Sequence, residues 1–407
     1  MALLPEVTCP WCWRKFASWD VLFIAESVHL RGDAISGALE GVRFEAMRFD
    51  VSGHALDPDG ARCSRIACPH CHGELPRALL ELPHLPVSIV GAQQSGKTNL
   101  LAAGLWKMAQ NASKWGVAWT DADPRFNEVL HRNESMLFGV EQGETIVTLP
   151  KTDVSGNDLY REVTIHGVVE IAPRPSFFIV GDQGSSRQML VELFDNAGEH
   201  FVPDHRSSRY EASTRHLQHS LALLVSFDPL QHVAFRQRHA PQHSVVGARH
   251  QRQDVVFSEM VARVRRMRGL SPSAPITLPV IVALTKADVW GAQALGDVWN
   301  DHTVLDRGET VPFCEVIALA ERVSGCAKQM LSEVAPEFVH AVDNLASKAW
   351  FLPVSALGSS PQLIDGVSAL EASMVRPRWA ELPFAVVLHE CRTVGVNQSQ
   401  GAAAELV

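Results

Sequence analysis

The eight residues GAQQSGKT, Gly91 to Thr98, fit the spacing G-x-x-x-x-G-K-[ST], a set of residue types suited to holding a chain of phosphates. Gly91 and Gly96 permit the backbone turns that aim a nest of N–H groups at phosphate oxygens. Lys97 reaches the β- and γ-phosphates as a point charge, and Thr98 offers a hydroxyl to Mg²⁺. Ser95 and Asn99 flank these residues and join them as nucleotide-contacting candidates. A second pattern, DNAG, sets Asp195 three residues before Gly198. A carboxylate so placed holds Mg²⁺, commonly through water, while the glycine lets a backbone N–H approach the γ-phosphate. A third, TKAD, runs from Thr285 through Lys286 to Asp288. Its carboxylate can accept hydrogen bonds from guanine's ring N–H and exocyclic amine together, whereas adenine offers a donor beside an acceptor at that edge. One such charge-assisted bidentate pair discriminates by orders of magnitude, and the methylenes of Lys286 can cover the base face. A fourth, Ser355-Ala356-Leu357, stands where a loop would offer a backbone N–H to guanine's 6-oxo group.

Each motif follows a segment able to deliver it. Val87, Ile89 and Val90 read as a buried strand, and Leu100, Leu101, Leu105, Trp106 and Met108 recur at helical spacing after the glycine loop. Apolar strands are also expected at residues 190–194, 221–227 (LALLVSF), 278–284 (LPVIVAL) and 351–354. A strand and helix are expected within 115–140, an exposed polar loop over 142–158, and β-rich runs at 163–171, 176–180 and 188–195, the last two forming a hairpin. Residues 232–268, rich in Arg, Gln and His, read as a surface insertion, either a solvated helix with a loop or a surface for a polyanion or partner. A long helix is expected over 311–349 and a closing one over 382–392. The fold class is therefore α/β, in three layers, with a mainly parallel sheet and one antiparallel strand from the hairpin before DNAG.

Cys9 and Cys12 in CPWC, and Cys68 and Cys71 in CPHC, make two CxxC knuckles. Two such turns form a closed Cys₄ site for structural Zn²⁺, which would supply folding energy to a small module. The gap between the pairs is roughly three times the usual ribbon spacing, and Cys63, His70 and His72 are rival ligands; buried free thiols are the alternative. The expected division is a zinc-ribbon-like module at 1–80, a nucleotide-binding domain at 81–395 with the 232–268 insertion, and a flexible tail at 396–407. The linker over 75–87 is short, which seats the module against the following domain.

The chain has 407 residues, 46% hydrophobic and 20% charged, with eight cysteines and a formal net charge of −9. These values describe an ordinary globular protein and argue against nucleic acid as an obligate partner. No secretory leader or membrane-length apolar run is visible, so a cytoplasmic location is expected.

In that order, each after an apolar strand, GAQQSGKT, DNAG, TKAD and SAL resemble the GTP-binding motifs of the translation-factor-like class of P-loop GTPases over roughly residues 85–392. With the CPxC knuckles in front, the chain resembles the double-GTPase family of bacterial NTP-dependent conflict systems. The resemblance implies GTP and GDP as ligands, and a switch working beside a sister GTPase or other system components, with the zinc module as adaptor. Two departures from the class stand out. Glu199 and His200 follow Gly198 where many members carry a water-orienting glutamine or histidine, which makes His200 the water-positioning candidate and implies slow turnover. The switch I threonine is assigned to Thr152, with Thr148 close behind. A GTP-sensing scaffold that does not hydrolyse and a zinc-ribbon nucleic-acid factor are the rival readings.

Overall fold

The computed structural model describes residues 3–139, 146–148, 160–165, 168–196, 213–243, 253–272, 274, 276, 278–301, 305, 310–364 and 367–392. Its main body is a seven-stranded sheet. In chain order the strands are β1 (His84–Gly91), β2 (Val117–Asp121), β3 (Pro175–Asp182), β4 (Gln188–Asp195), β5 (Ala222–Phe227), β6 (Leu278–Leu284) and β7 (Ala346–Pro353). They lie in the order β2-β3-β4-β1-β5-β6-β7. Pairings β4/β1, β1/β5, β5/β6 and β6/β7 are parallel. β3 is antiparallel to both its neighbours, so it alone runs against the others. This is the mainly parallel sheet with one reversed strand that the sequence pattern predicts.

Every residue of β5 and β6 is buried, because a parallel strand covered on both faces has no side to give to water. Successive residues of β7 show the two covering layers. Trp350 Nε1 donates to Glu390 in the helix over 382–392 at 3.0 Å, while Phe351 lies under Lys328 of the helix Phe313–Val334. The helix α1 (Lys97–Asn111) packs so closely on the turn that leads into the 382–392 helix that a Cβ on Gly104 would fall 2.5 Å from the Ala380 carbonyl oxygen. Among the described residues no helix is long and apolar enough to cross a membrane.

Several expectations need correction. The helix α2 (Gln253–Met267) is no surface insertion: Val256, Phe257, Met260, Val261 and Val264 are buried in the main core. They recur at helical spacing, a stripe that Arg263, Arg265 and Arg266 obscure in a compositional reading, although Arg263 is itself buried. The long helix expected over 311–349 breaks at Pro336, which starts the short helix Pro336–Asp343, and β7 begins at Ala346. Within the expected loop over 142–158, Ile146–Thr148 is a strand paired with Val367–Glu371, and Val147 is buried. The run at 163–171 is itself a hairpin, Tyr160–Ile165 against Val168–Pro173.

Ahead of β1 lies a small module in which each cysteine knuckle is held in its own antiparallel pair, Val7–Thr8 with Lys15–Phe16 and Ile66–Ala67 with Glu74–Leu75. Trp11, Leu75 and Leu79 from this module share one apolar cluster with Phe177 on β3, Leu190 on β4, and Val163 and Ala172 on the hairpin. Glu192 of β4 is 2% exposed, and its Oε1 stands 3.4 Å from His84 Nδ1. Burial pushes its carboxyl up to about 8 and pushes the His84 imidazole down, so at neutral pH the two meet as neutral groups and not as an ion pair.

The sign of the resulting pH dependence follows from proton counting. Between the unfolded carboxyl value of about 4.3 and the folded value, the unfolded chain releases a proton that the folded chain keeps. Glu192 therefore lowers stability by up to about 1.4 kcal/mol for each unit of rising pH in that window. Glu192→Gln is expected to flatten this part of the stability profile and to raise the denaturation midpoint at pH 8 relative to the native chain. Chemical denaturation from pH 5 to 8.5 tests this, and parallel profiles for the two proteins would contradict it.

Candidate functional site

The sequence motifs emerge together at the C-terminal ends of the parallel strands, the edge at which open α/β sheets bind ligands. Register keeps those ends level: Asp195 pairs with Ile89, Ser226 with Gly91, and Leu284 with both Phe227 and Pro353.

The loop from Gly91 to Thr98 leaves β1 and enters α1 through two left-handed residues, Gln94 (φ 58°) and Gly96 (φ 86°). At Gly91 a Cβ would lie 2.7 Å from the Ser226 carbonyl oxygen and 2.8 Å from Ser95 Oγ, so only glycine lets the loop pass this close to β5. The Ser95 carbonyl accepts hydrogen bonds from Ser226 Oγ at 3.0 Å and Thr285 Oγ1 at 2.7 Å. The hydroxyl of Thr285 is thus directed at the loop backbone, bracing it to β6. Thr98 and Asn99 are half-buried in the first turn of α1. Asn99 Oδ1 has no hydrogen-bond partner among the described residues.

Lys97 is 8% exposed. Its Nζ stands 3.0 Å from Asp195 Oδ1 and donates to the Asn196 carbonyl oxygen. A nearly buried ammonium needs such partners, and here they come from the strand that carries DNAG. The glycine-loop lysine and the DNAG carboxylate, far apart in sequence, are neighbours.

At the other end of the site Asp288 Oδ1 accepts the hydroxyl of Ser355 at 2.6 Å. The fully buried Ser355 Oγ in turn accepts the Gly358 N–H at 2.8 Å. Burial pushes the Asp288 carboxyl up, and the Ser355 hydrogen bond opposes that rise. A cleft of about 510 Å³ lies alongside, with Asp288, Ser355, Lys107, Trp299 and Arg378 in its walls. Leu357 points away into a small cluster with Ala102, Leu137 and Val147, leaving half-buried Ala356 between it and Ser355. Lys286, with φ 57°, sets its Nζ 2.6 Å from the buried carboxylate of Asp228. Gln253 fixes Asp228 by bonding both its N–H and its carbonyl, at 2.9 and 2.7 Å.

Sequence reasoning assigned no role to Ser226, Asp228 or Gln253. Asp228 was the most visible of the three, as an acid directly after the apolar run LALLVSF, but no short motif marks it. Thr152, Gly198, Glu199 and His200 lie outside the described residues.

Within the N-terminal module, Cys9, Cys12, Cys68 and Cys71 are all buried, with their sulfurs within 4.8 Å of one another. Cys9 to Cys71 measures 3.7 Å and Cys12 to Cys68 3.8 Å. A Zn–S bond of about 2.3 Å puts the corners of a tetrahedron roughly 3.8 Å apart, the spacing these two pairs already have. The knuckles match in detail: Trp11 N–H donates to Cys9 Sγ and His70 N–H to Cys68 Sγ, both at 3.4 Å. The rival ligands are engaged elsewhere. Cys63 donates to the Ala61 carbonyl, His70 Nε2 meets the Lys15 carbonyl, and His72 Nδ1 meets Asp33.

No family model matches the chain, and no curated protein matches it. Among solved structures it is similar to Sup35 complexed with GDP, at 14% identity over 69% of this chain and 40% of that one, with a TM-score of 0.23. It is also similar to the G domain of the T. maritima FeoB iron transporter, at 9% identity over 67% and 88%, TM-score 0.23. A third is the S. cerevisiae Ski7 GTPase-like domain bound to GTP, at 12% identity over 70% and 48%, TM-score 0.23. The chain spans about two fifths of the length of the Sup35 chain. Likenesses at this level carry no functional weight, which falls on the geometry of the site.

The thiol cluster makes a direct prediction. Protein purified without chelator is expected to carry one zinc per chain by metal analysis, and Cys68→Ser to lose it; a native chain with no stoichiometric zinc would leave the cluster as four buried thiols.

Proposed function

We propose that this chain binds guanine nucleotide along the C-terminal edge of its sheet and hydrolyses GTP as a switch. The observation that carries the reading is a single continuous edge. Lys97 touches Asp195 at one end, Asp288 is oriented by Ser355 at the other, and Thr285 ties the glycine loop between them. The first two places suit a triphosphate and a guanine base.

The loop N–H groups and the N-terminus of α1 receive the phosphates, and Lys97 exchanges Asp195 and the Asn196 carbonyl for the β- and γ-phosphate oxygens. Its charge then opposes the negative charge that develops between those phosphates during hydrolysis. Asp195 and Thr98 would hold Mg²⁺, which when bound would neutralise phosphate charge from the side opposite Lys97. Asp288 accepts both guanine donors, with Ser355 holding the carboxylate in place. His200 positions the attacking water, and Thr152 and Gly198 order around the γ-phosphate.

We further propose that the switch acts in the cytoplasm with protein partners, a sister GTPase among them, in a bacterial conflict or defence system. The order of the four nucleotide motifs behind a two-knuckle module supports that extension.

Asp288→Asn tests the core of the proposal. It should weaken GTP binding at least about tenfold and shift preference toward xanthine nucleotide, whose 2-oxo group calls for a donor. Equilibrium titration with GTP and XTP measures both, and unchanged GTP affinity would overturn the base assignment.

A further inference from the structure

The cysteine knuckles are built into the nucleotide edge. Trp13, the residue after CPWC, adopts a left-handed φ of 59° that turns its indole toward the sheet. There it stacks on His219 with centroids 4.5 Å apart and planes 2° from parallel, and meets the ring of Phe194 at 5.3 Å. Phe194 immediately precedes Asp195 and is fully buried. On its other side it stacks on His216 at 5.2 Å, and His216 Nδ1 is 2.5 Å from Ser88 Oγ on β1, three residues before the glycine loop. An indole from the first knuckle therefore helps to wedge the strand end that presents Asp195.

A second path reaches the same turn. The Tyr160 hydroxyl donates to Asn196 Oδ1 at 3.3 Å, and Tyr160 begins the hairpin whose Val163 and Ala172 pack with Cys9 and Trp11. The guanidinium of the next residue, Arg161, lies 5.3 Å from the Trp11 ring. Asn196 supplies the carbonyl that Lys97 holds. Both paths start at the first knuckle and end at Asp195–Asn196, the pair that must release Lys97 when a triphosphate enters.

We propose that Trp13 and Tyr160 are positioning residues for Asp195 and Asn196, so that the thiolate module and the metal end of the nucleotide site behave as one coupled unit. Coupling of this kind is reciprocal for binding equilibria: whatever fixes Asp195 also tightens the knuckle contacts. Neither residue touches nucleotide, and each acts through the strand end. The nucleotide arm of the following test depends on the reading of the site given above; the exchange arm does not.

Trp13→Ala, Trp13→Phe and Tyr160→Phe would be prepared in the full chain. For each, zinc content, amide exchange of nucleotide-free protein, and GTP affinity with and without added Mg²⁺ would be measured. Trp13→Ala is expected to keep one zinc while exchange at residues 193–196 speeds up about tenfold and the Mg²⁺-dependent gain in GTP affinity shrinks by a similar factor. The β6 amides, remote from the wedge, should not change. Trp13→Phe, which retains a ring, should restore both quantities, a rescue that a loss of general stability would not give. Should Trp13→Ala fail to fold, Tyr160→Phe, which removes only a hydroxyl, should still reduce the Mg²⁺-dependent gain and speed exchange at Asn196. Native exchange at 193–196 in the folded variants overturns the coupling. A native chain that ignores GTP overturns the nucleotide assignment and leaves the exchange arm to decide the coupling.

Discussion

A lysine ammonium that is 8% exposed must be matched by negative charge, and much of this fold's local geometry follows from that requirement. Lys97 opens α1, the only place from which it can serve a glycine loop, and its partner Asp195 closes a strand that pairs with β1 in parallel register. Parallel pairing puts the two strand ends side by side. The reversed strand β3 is what brings β4 back beside β1, so the one antiparallel element of the sheet is also the one that makes the contact possible.

The remaining contacts keep that edge rigid before any ligand arrives. The Ser95 carbonyl takes two hydroxyl donors from β5 and the β6 end. Gln253 holds Asp228, Asp228 holds Lys286, and Ser355 holds Asp288. These links tie the ends of β5, β6 and β7 to one another and to α2, so the loops are fixed against one another as well as against the core. A site so organised loses less conformational freedom on binding. Lys97 meets Asp195 and the Asn196 carbonyl, so a ligand that takes the ammonium must offer more negative charge than they do. A phosphate chain meets that condition and a neutral ligand does not.

Much of this was legible in the sequence because buried parallel strands read as unbroken apolar runs, as at 221–227 and 278–284, and TKAD follows the second of these directly. The Cys₄ set was legible from two CxxC turns, and its geometry separates it from Cys63, His70 and His72. What could not be read were the closures between distant segments. Thr285 looks like part of a base-reading motif until its hydroxyl is found on Ser95, 190 residues away. The stripe at Val256, Phe257, Met260, Val261 and Val264 was present in the sequence, yet the arginines beside it suggested a solvated surface. Trp13 gave no signal at all, since a tryptophan after a knuckle has no sequence partner to reveal what it packs against.

The account stands or falls on whether this edge is built for a guanine triphosphate. The most direct measurement is competitive equilibrium binding of Mg·GTP and Mg·ATP to the native chain. The geometry around Asp288 predicts that GTP is preferred by about a hundredfold or more, the discrimination expected when a half-buried carboxylate finds both of its donors or loses them. Equal affinity for the two nucleotides, or binding of neither, would contradict it.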